Sequence, residues 1–174
     1  MFYQNERLAI FIDGPGLWST IRALDIDIDY SRMFDFFKTK GRLLRGTYAT
    51  TVVENDGSAH IYRLVDWLQF NGWSVITKRT SKFEDSNGRH RIRSNCRIEL
   101  AMEMVKLAPS LDHIVLFSGD RDFCSVVAYL QERGIRVSVV SALDAQGYSA
   151  SEELRRQTDT FIDLESLRDS ISRN

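Results

Sequence analysis

A chain of 174 residues holds one domain of ordinary size and is too short for two. Its 43% hydrophobic content can bury a sizeable core, and 23 basic against 24 acidic side chains argue neither for nor against nucleic acid. The longest apolar runs fall far below the ~20 residues that span a bilayer, so no membrane-spanning helix is expected.

Gln4, Asn5 and Glu6 follow directly on Phe2 and Tyr3, so no signal peptide is expected. Cys96 and Cys124 have no zinc-type spacing and fit a reducing compartment, which gives a cytoplasmic expectation.

In chain order, Leu8 to Ile12 reads as a buried strand ending in the turn residues Asp13 and Gly14. Helices are expected over Leu17 to Leu24 and Tyr30 to Lys38, then a Thr-, Tyr- and Val-rich strand over Leu43 to Val52. His60 to Phe70 carries Ile61, Leu64, Val65 and Leu68 at the i, i+3, i+4, i+7 spacing of an amphipathic helix. Asn71-Gly72 stops it, and Trp73 to Lys78 is the next strand. Asn87-Gly88 marks a hairpin or loop. Arg97 to Ala108 is helical, Ile114 to Phe117 is a second fully buried strand, and a helix carrying Phe123, Val126, Val127 and Leu130 on one face follows. Gly134 ends that helix before a strand over Ile135 to Ser141. The tail is expected to hold a charged helix from Ser149 to Gln157, a short apolar element at Phe161-Ile162 and a last helix to about Ser170. Strands alternating with helices imply βαβ units, hence an α/β fold with a parallel sheet covered on both faces, in one domain over residues 1–174.

Two strands share one design. The first ends in Asp13, and the Ile114 strand runs through Ser118-Gly119 into Asp120 and Asp122. In open α/β sheets ligands bind at the carboxyl ends of the strands, where strand order reverses. If these two strands are neighbours there, the three carboxylates converge, and like charges so held call for a cation such as Mg²⁺ or Mn²⁺. Each Asp also has a plain local role, Asp13 in a turn and Asp120 as a helix cap with Asp122 in the first turn. Glu99 and Glu103, one helical turn apart, either add a carboxylate or form a solvated stripe beside Lys106.

From Thr77 to Arg97 seven basic residues (Lys78, Arg79, Lys82, Arg89, Arg91, Arg93 and Arg97) face two acidic ones, Glu84 and Asp85. The segment is either a solvated hairpin or a phosphate grip beside the acids, with Phe83 and His90 as candidates for base stacking.

Phe11-Ile12-Asp13-Gly14, Ser94-Asn95-Cys96-Arg97-Ile98-Glu99-Leu100 and Ser118-Gly119-Asp120-Arg121-Asp122-Phe123 resemble, in order, three signatures of the NYN domain family, the LabA-like branch of the PIN-like nucleases. The resemblance extends to Glu153-Leu154-Arg155-Arg156-Gln157. It implies a PIN-like Rossmannoid three-layer αβα fold with a central mainly parallel sheet, and metal-dependent cleavage of RNA, single-stranded RNA being the expected substrate. Carried over, it makes Asp13, Asp120 and Asp122 metal ligands for Mg²⁺ or Mn²⁺, with Glu103 as a further catalytic acid. Two positions depart from the pattern. Gly16 stands where the family usually has Asn, and Arg97 where it usually has Asp; Ser94 also replaces a Gly. An Arg in place of a ligand Asp reverses two charge units and can bridge Asp13 and Asp120 in place of the ion.

Two readings follow. In one the chain is a metal-dependent endoribonuclease, with the basic residues Lys78, Arg79, Lys82, Arg89, Arg91 and Arg93 holding the RNA. In the other it is a catalytically degenerate module that binds RNA or a protein partner, as a homodimer or beside an active paralogue. The direction of the Arg97 side chain separates them: into the pocket for the module, into solvent for the enzyme.

Overall fold

The computed structural model describes residues 2–53, 59–80, 82–84, 90–92 and 95–173. The apolar run of the first strand becomes β1 (Arg7–Asp13), and every residue from Leu8 to Asp13 is buried. Such two-sided burial marks a central parallel strand. The chain passes without a loop into α1 (Gly14–Leu24), with Pro15 in its first turn, where a missing N–H costs nothing. Next come α2 (Tyr30–Lys38), capped by Asp29 through the amides of Ser31 and Arg32, β2 (Arg42–Val53), α3 (Ala59–Phe70) and β3 (Ser74–Thr80). Short strands β4 (Lys82–Glu84) and β5 (His90–Ile92) pair antiparallel apart from the main sheet. The second half comprises α4 (Arg97–Leu107), β6 (His113–Phe117), α5 (Cys124–Gln131), β7 (Arg136–Ser141), α6 (Glu152–Gln157), β8 (Thr160–Asp163) and α7 (Arg168–Ile171).

Six strands form one sheet in the order β3-β2-β1-β6-β7-β8, and all five pairings are parallel. From β1 the chain builds outward through β2 to β3, then crosses back and builds β6, β7 and β8 on the other side. The reversal therefore falls between β1 and β6, which run in register from Leu8 opposite His113 to Ile12 opposite Phe117. Asp13 and Ser118 leave adjacent strands side by side, and the convergence expected for the two strand ends is met.

Alternation along the strands sorts the core into two layers. Leu8, Ile10 and Ile12 meet α1, α2, α3 and α7 through Leu17, Met33, Phe37, Leu68 and Ile171. Ala9 and Phe11 meet α4, α5 and α6 through Leu100, Met104, Val127 and Leu154. With helices on both faces this is the expected three-layer αβα arrangement around a parallel sheet. The apolar Phe161-Ile162 element proves to be β8, a half-buried parallel edge strand on β7. The charged tail helix begins at Glu152, three residues later than expected, because Ser149 and Ala150 are taken by other partners. The Ser149 hydroxyl accepts from the Ala145 amide, and the Ala150 amide reaches the Ala142 carbonyl. Among the described residues no helix is long and apolar enough to cross a membrane.

Candidate functional site

A cleft of about 340 Å³ opens at the switch point, lined by Asp13, Gly16, Thr20, Arg97, Ser118 and Asp120, with Tyr148 at its edge. Asp13 sits at its base and is only 5% exposed. The Ser118 hydroxyl donates to Asp13 Oδ2 at 3.2 Å and accepts the Asp120 amide at the same distance, tying the two strand ends together. Burial pushes the Asp13 carboxyl above its ordinary value. The Arg97 charge, the Ser118 hydroxyl and the Gly16 amide oppose that rise, and the negative charge of Asp120 adds to it.

Gly16 is where it is for lack of room. A Cβ at this position would lie 2.7 Å from Asp13 Oδ2 and 3.2 Å from its Cγ. With Asp13 in this orientation the Asn usual in the family has no space, so the glycine and the inward Asp13 carboxylate are one feature.

Asp120 caps a short 3-10 turn, Arg121–Phe123, that follows β6 and contains Asp122. Asp120 does the capping work its sequence position suggested, its Oδ1 accepting the Asp122 amide at 2.9 Å. Its other oxygen is also taken. Arg97, the first residue of α4, turns into the cleft and places Nη2 2.5 Å from Asp120 Oδ2 and Nη1 2.9 Å from Asp122 Oδ2. Asn95 helps set that start of α4, its side-chain oxygen accepting the Arg97 amide at 3.1 Å.

Glu103 does not join them. It lies one and a half turns further along α4, pairs with Lys106 at 3.5 Å and is not part of the cleft lining. Glu99 is also committed elsewhere, to Lys78 at 2.6 Å, an ion pair that holds its carboxyl below the usual value. Lys78 is thereby engaged; Arg79 lies exposed near the end of β3. Lys82 and Arg91 fall on β4 and β5, but their side chains lie outside the described residues, as do Arg89 and Arg93. Thr20 and Tyr148 carried no sequence signal; the Thr20 hydroxyl donates to the Gly16 carbonyl at 3.1 Å and closes the α1 side of the cleft.

The resemblance implies a divalent cation at this donor set. Among the described residues no three His, Cys, Asp or Glu side chains are placed to hold a metal ion. Asp13 is buried against Ser118, and the carboxylates of Asp120 and Asp122 face a guanidinium that already satisfies them. A Mg²⁺ or Mn²⁺ ion would have to expel a fixed positive charge to gain oxygen ligands. These residues do not fit the ion.

Comparison with known proteins agrees with the fold. The NYN domain family model matches residues 7–165. The Low amplitude and bright protein LabA of Synechococcus elongatus is 34% identical over 176 residues, covering 99% of this chain and 91% of that protein. A solved structure of a protein of unknown function from Vibrio parahaemolyticus matches at a TM-score of 0.73 with 19% identity, over 98% of this chain and 99% of that one. A looser match, at a TM-score of 0.43 and 14% identity, is the MAR1 ribonuclease of Caenorhabditis elegans, over 96% of this chain and 81% of that one.

Proposed function

Because this chain belongs to the NYN domain family, we propose that it is a module of PIN-like nuclease type that holds RNA without cutting it, its cleft neutralised by Arg97 in place of a metal. The observation that carries this reading is the bridge from Arg97 to Asp120 and Asp122 at 2.5 and 2.9 Å. A carboxylate-held cation does two things for phosphodiester hydrolysis: it offsets the charge on the reacting phosphate and lowers the pKa of a bound water. A guanidinium neutralises carboxylates but has no coordination position for a water, so it generates no hydroxide. With both Asp120 and Asp122 engaged, its charge is also spent within the protein. The metal-dependent endonuclease reading, with Asp13, Asp120, Asp122 and Glu103 as its acids, requires Arg97 outside the cleft and Glu103 inside it. RNA as the ligand rests on the family.

The test is to incubate labelled single-stranded RNA with the protein in Mn²⁺, following both retention and cleavage, with Asp120→Asn and Arg97→Asp in parallel. The expected result is retention of intact RNA by the wild type, with any cleavage confined to Arg97→Asp. Cleavage by the wild type that Asp120→Asn abolishes would overturn the proposal and restore the enzyme.

A further inference from the structure

A second cavity lies on the far side of the β1–α1 turn, and Pro15 lines both it and the acidic cleft. Its volume is about 500 Å³, within the roughly 300–1,000 Å³ range of small-molecule sites. Nothing in the chemistry of the acidic cleft uses it.

Its walls mix aromatic rings with the aliphatic side chains of Ile21, Ile28, Ile61 and Leu64. Trp18 from α1 stands at the mouth, 55% exposed. Tyr30 from α2 and Tyr48 from β2 line it as an edge-to-face pair with ring centroids 5.6 Å apart. Tyr48 reaches this position because residue 14 is glycine: a Cβ there would lie 2.7 Å from both the Tyr48 hydroxyl and the Ala49 carbonyl oxygen. The Asp-Gly element at the end of β1 thus serves two pockets, the Asp facing one and the Gly making room for the other. Burial raises both phenols, Tyr30 to about 12 and Tyr48 well above its usual value, so both stay neutral; their hydroxyls bond each other and keep their remaining hydrogen-bonding capacity for a ligand.

Polar groups converge among the rings. Thr50 and Thr51 bring hydroxyls, and the Thr50 hydroxyl makes only a long 3.4 Å bond to the Thr51 carbonyl. Asp27 and Arg173 face each other across 4.0 Å. The Arg22 guanidinium sits over the Trp18 ring at 5.6 Å. Aromatic rings with donors and acceptors between them, and the only charges lining the cavity set against each other in the Asp27–Arg173 pair among the described residues, suit a planar heterocycle with hydrogen-bonding edges. An aliphatic ligand would leave the hydroxyls unused, and a bare phosphate would leave the rings unused.

We propose that this cavity binds a nucleobase, stacked on Trp18, with its edges read by the hydroxyls of Tyr30, Tyr48 and Thr50. The site deepens the RNA-holding reading and rests on it, because it supplies the base contact of a strand whose backbone passes the β1–α1 turn. The base arrives either in single-stranded RNA or in a free nucleoside monophosphate.

Both sources are tested by fluorescence anisotropy and Trp fluorescence at low salt, with a labelled single-stranded hexanucleotide and with adenosine and uridine monophosphates as probes. The proteins are wild type, Trp18→Ala, Trp18→Phe and, as a control on the opposite side of the sheet, Tyr129→Ala. Loss of one base stack weakens binding by about 5- to 150-fold, so that loss is expected for Trp18→Ala, with partial retention in Trp18→Phe and none of it in Tyr129→Ala. Binding of the hexanucleotide by the wild type that Trp18→Ala leaves unchanged overturns the base pocket and spares the RNA reading. Trp18-dependent binding of the monophosphates without binding of the hexanucleotide supports the pocket and removes RNA as the ligand. No binding of either probe by the wild type overturns both.

Discussion

Arg97 and Asp120 lie 23 residues apart in sequence and meet at 2.5 Å, a guanidinium nitrogen on a carboxylate oxygen, at the point where the strand order reverses. Asp120 is fixed by the end of β6, and Arg97 by the first turn of α4, the helix that carries the chain across the sheet to β6. The pair therefore depends on the topology of the whole domain and not on a flexible surface encounter.

Removing the guanidinium should expose the repulsion it hides. Arg97→Ala leaves Asp120 and Asp122 without their partner, and both pairs are partly exposed, so a loss of about 1–2 kcal/mol is expected rather than the full cost of breaking a buried pair. Millimolar Mn²⁺ should restore part of that loss in the variant and leave the wild type unmoved, because only the variant offers free carboxylates. Thermal melts with and without the ion measure this, and an equal Mn²⁺-dependent rise in the wild type would count against Arg97 as the occupant.

Gly16→Ala is expected to change sign with its background. In the wild type the new methyl meets Asp13 Oδ2, and overpacking of this kind costs about 1–3 kcal/mol. The gain in helix propensity returns up to about 1 kcal/mol, so the net effect is destabilising. In an Asp13→Ala background the clash is gone and the same substitution should stabilise. Urea denaturation of the four proteins of this double-mutant cycle gives the coupling. Additive effects would mean that Asp13 moves aside without cost.

How much of this was legible before the structure depended on how local each cause was. The strands at Leu8 to Ile12 and Ile114 to Phe117 were readable because a run of apolar residues is its own signal, and α3 because its spacing repeats. The half-buried strand β8 was not, since four residues at a sheet edge carry neither pattern in full. Asp120 was seen as both cap and cleft residue, and it is both. The direction of Arg97 was not readable, since nothing within α4 says which side of the helix start faces β6. Glu103 and Lys78 show the same limit. A stripe beside Lys106 was one of two readings open for Glu103, and nothing in the spacing showed that Lys78 pairs with Glu99. Trp18, Tyr30 and Tyr48 come from three elements with no shared motif, so their convergence had no sequence signal at all.

The two cysteines should behave differently toward a thiol reagent. Cys96 is buried, donates from Sγ to the Thr50 carbonyl at 3.0 Å, and burial pushes its pKa up to about 11. Cys124 is only partly buried, and its pKa is raised as well, again chiefly by burial. Since the thiolate is the reacting form, the native protein at pH 8 should show one slow thiol, Cys124, and a second that reacts only on unfolding. Quantifying accessible thiols in Cys124→Ser with and without denaturant checks this, and native labelling of Cys96 at a rate comparable to Cys124 would contradict its placement.

At the opposite end of the sheet from the cleft, His113 gives the fold a pH dependence. It is fully buried in β6, with Nδ1 3.0 Å from Glu6 and Nε2 2.7 Å from the Ser138 hydroxyl. Burial lowers its pKa, and the charges of Arg136 and the N-terminus push the same way. Hydrogen bonding and attraction to Glu6 oppose them without prevailing. Glu6, which also pairs with Arg136, is held below its usual value and so stays ionised through the window concerned. As pH falls below about 6.5, the unfolded chain takes up a proton at His113 before the folded one does, so stability falls with it. Above that pH the contribution is complete and flat. One proton limits the slope to about 1.4 kcal/mol per pH unit. Urea melts between pH 7.5 and 5.5 should show the decline in the wild type and a smaller one in His113→Gln, which keeps hydrogen-bonding groups and does not titrate. Equal slopes in the two proteins would place the pH sensitivity elsewhere.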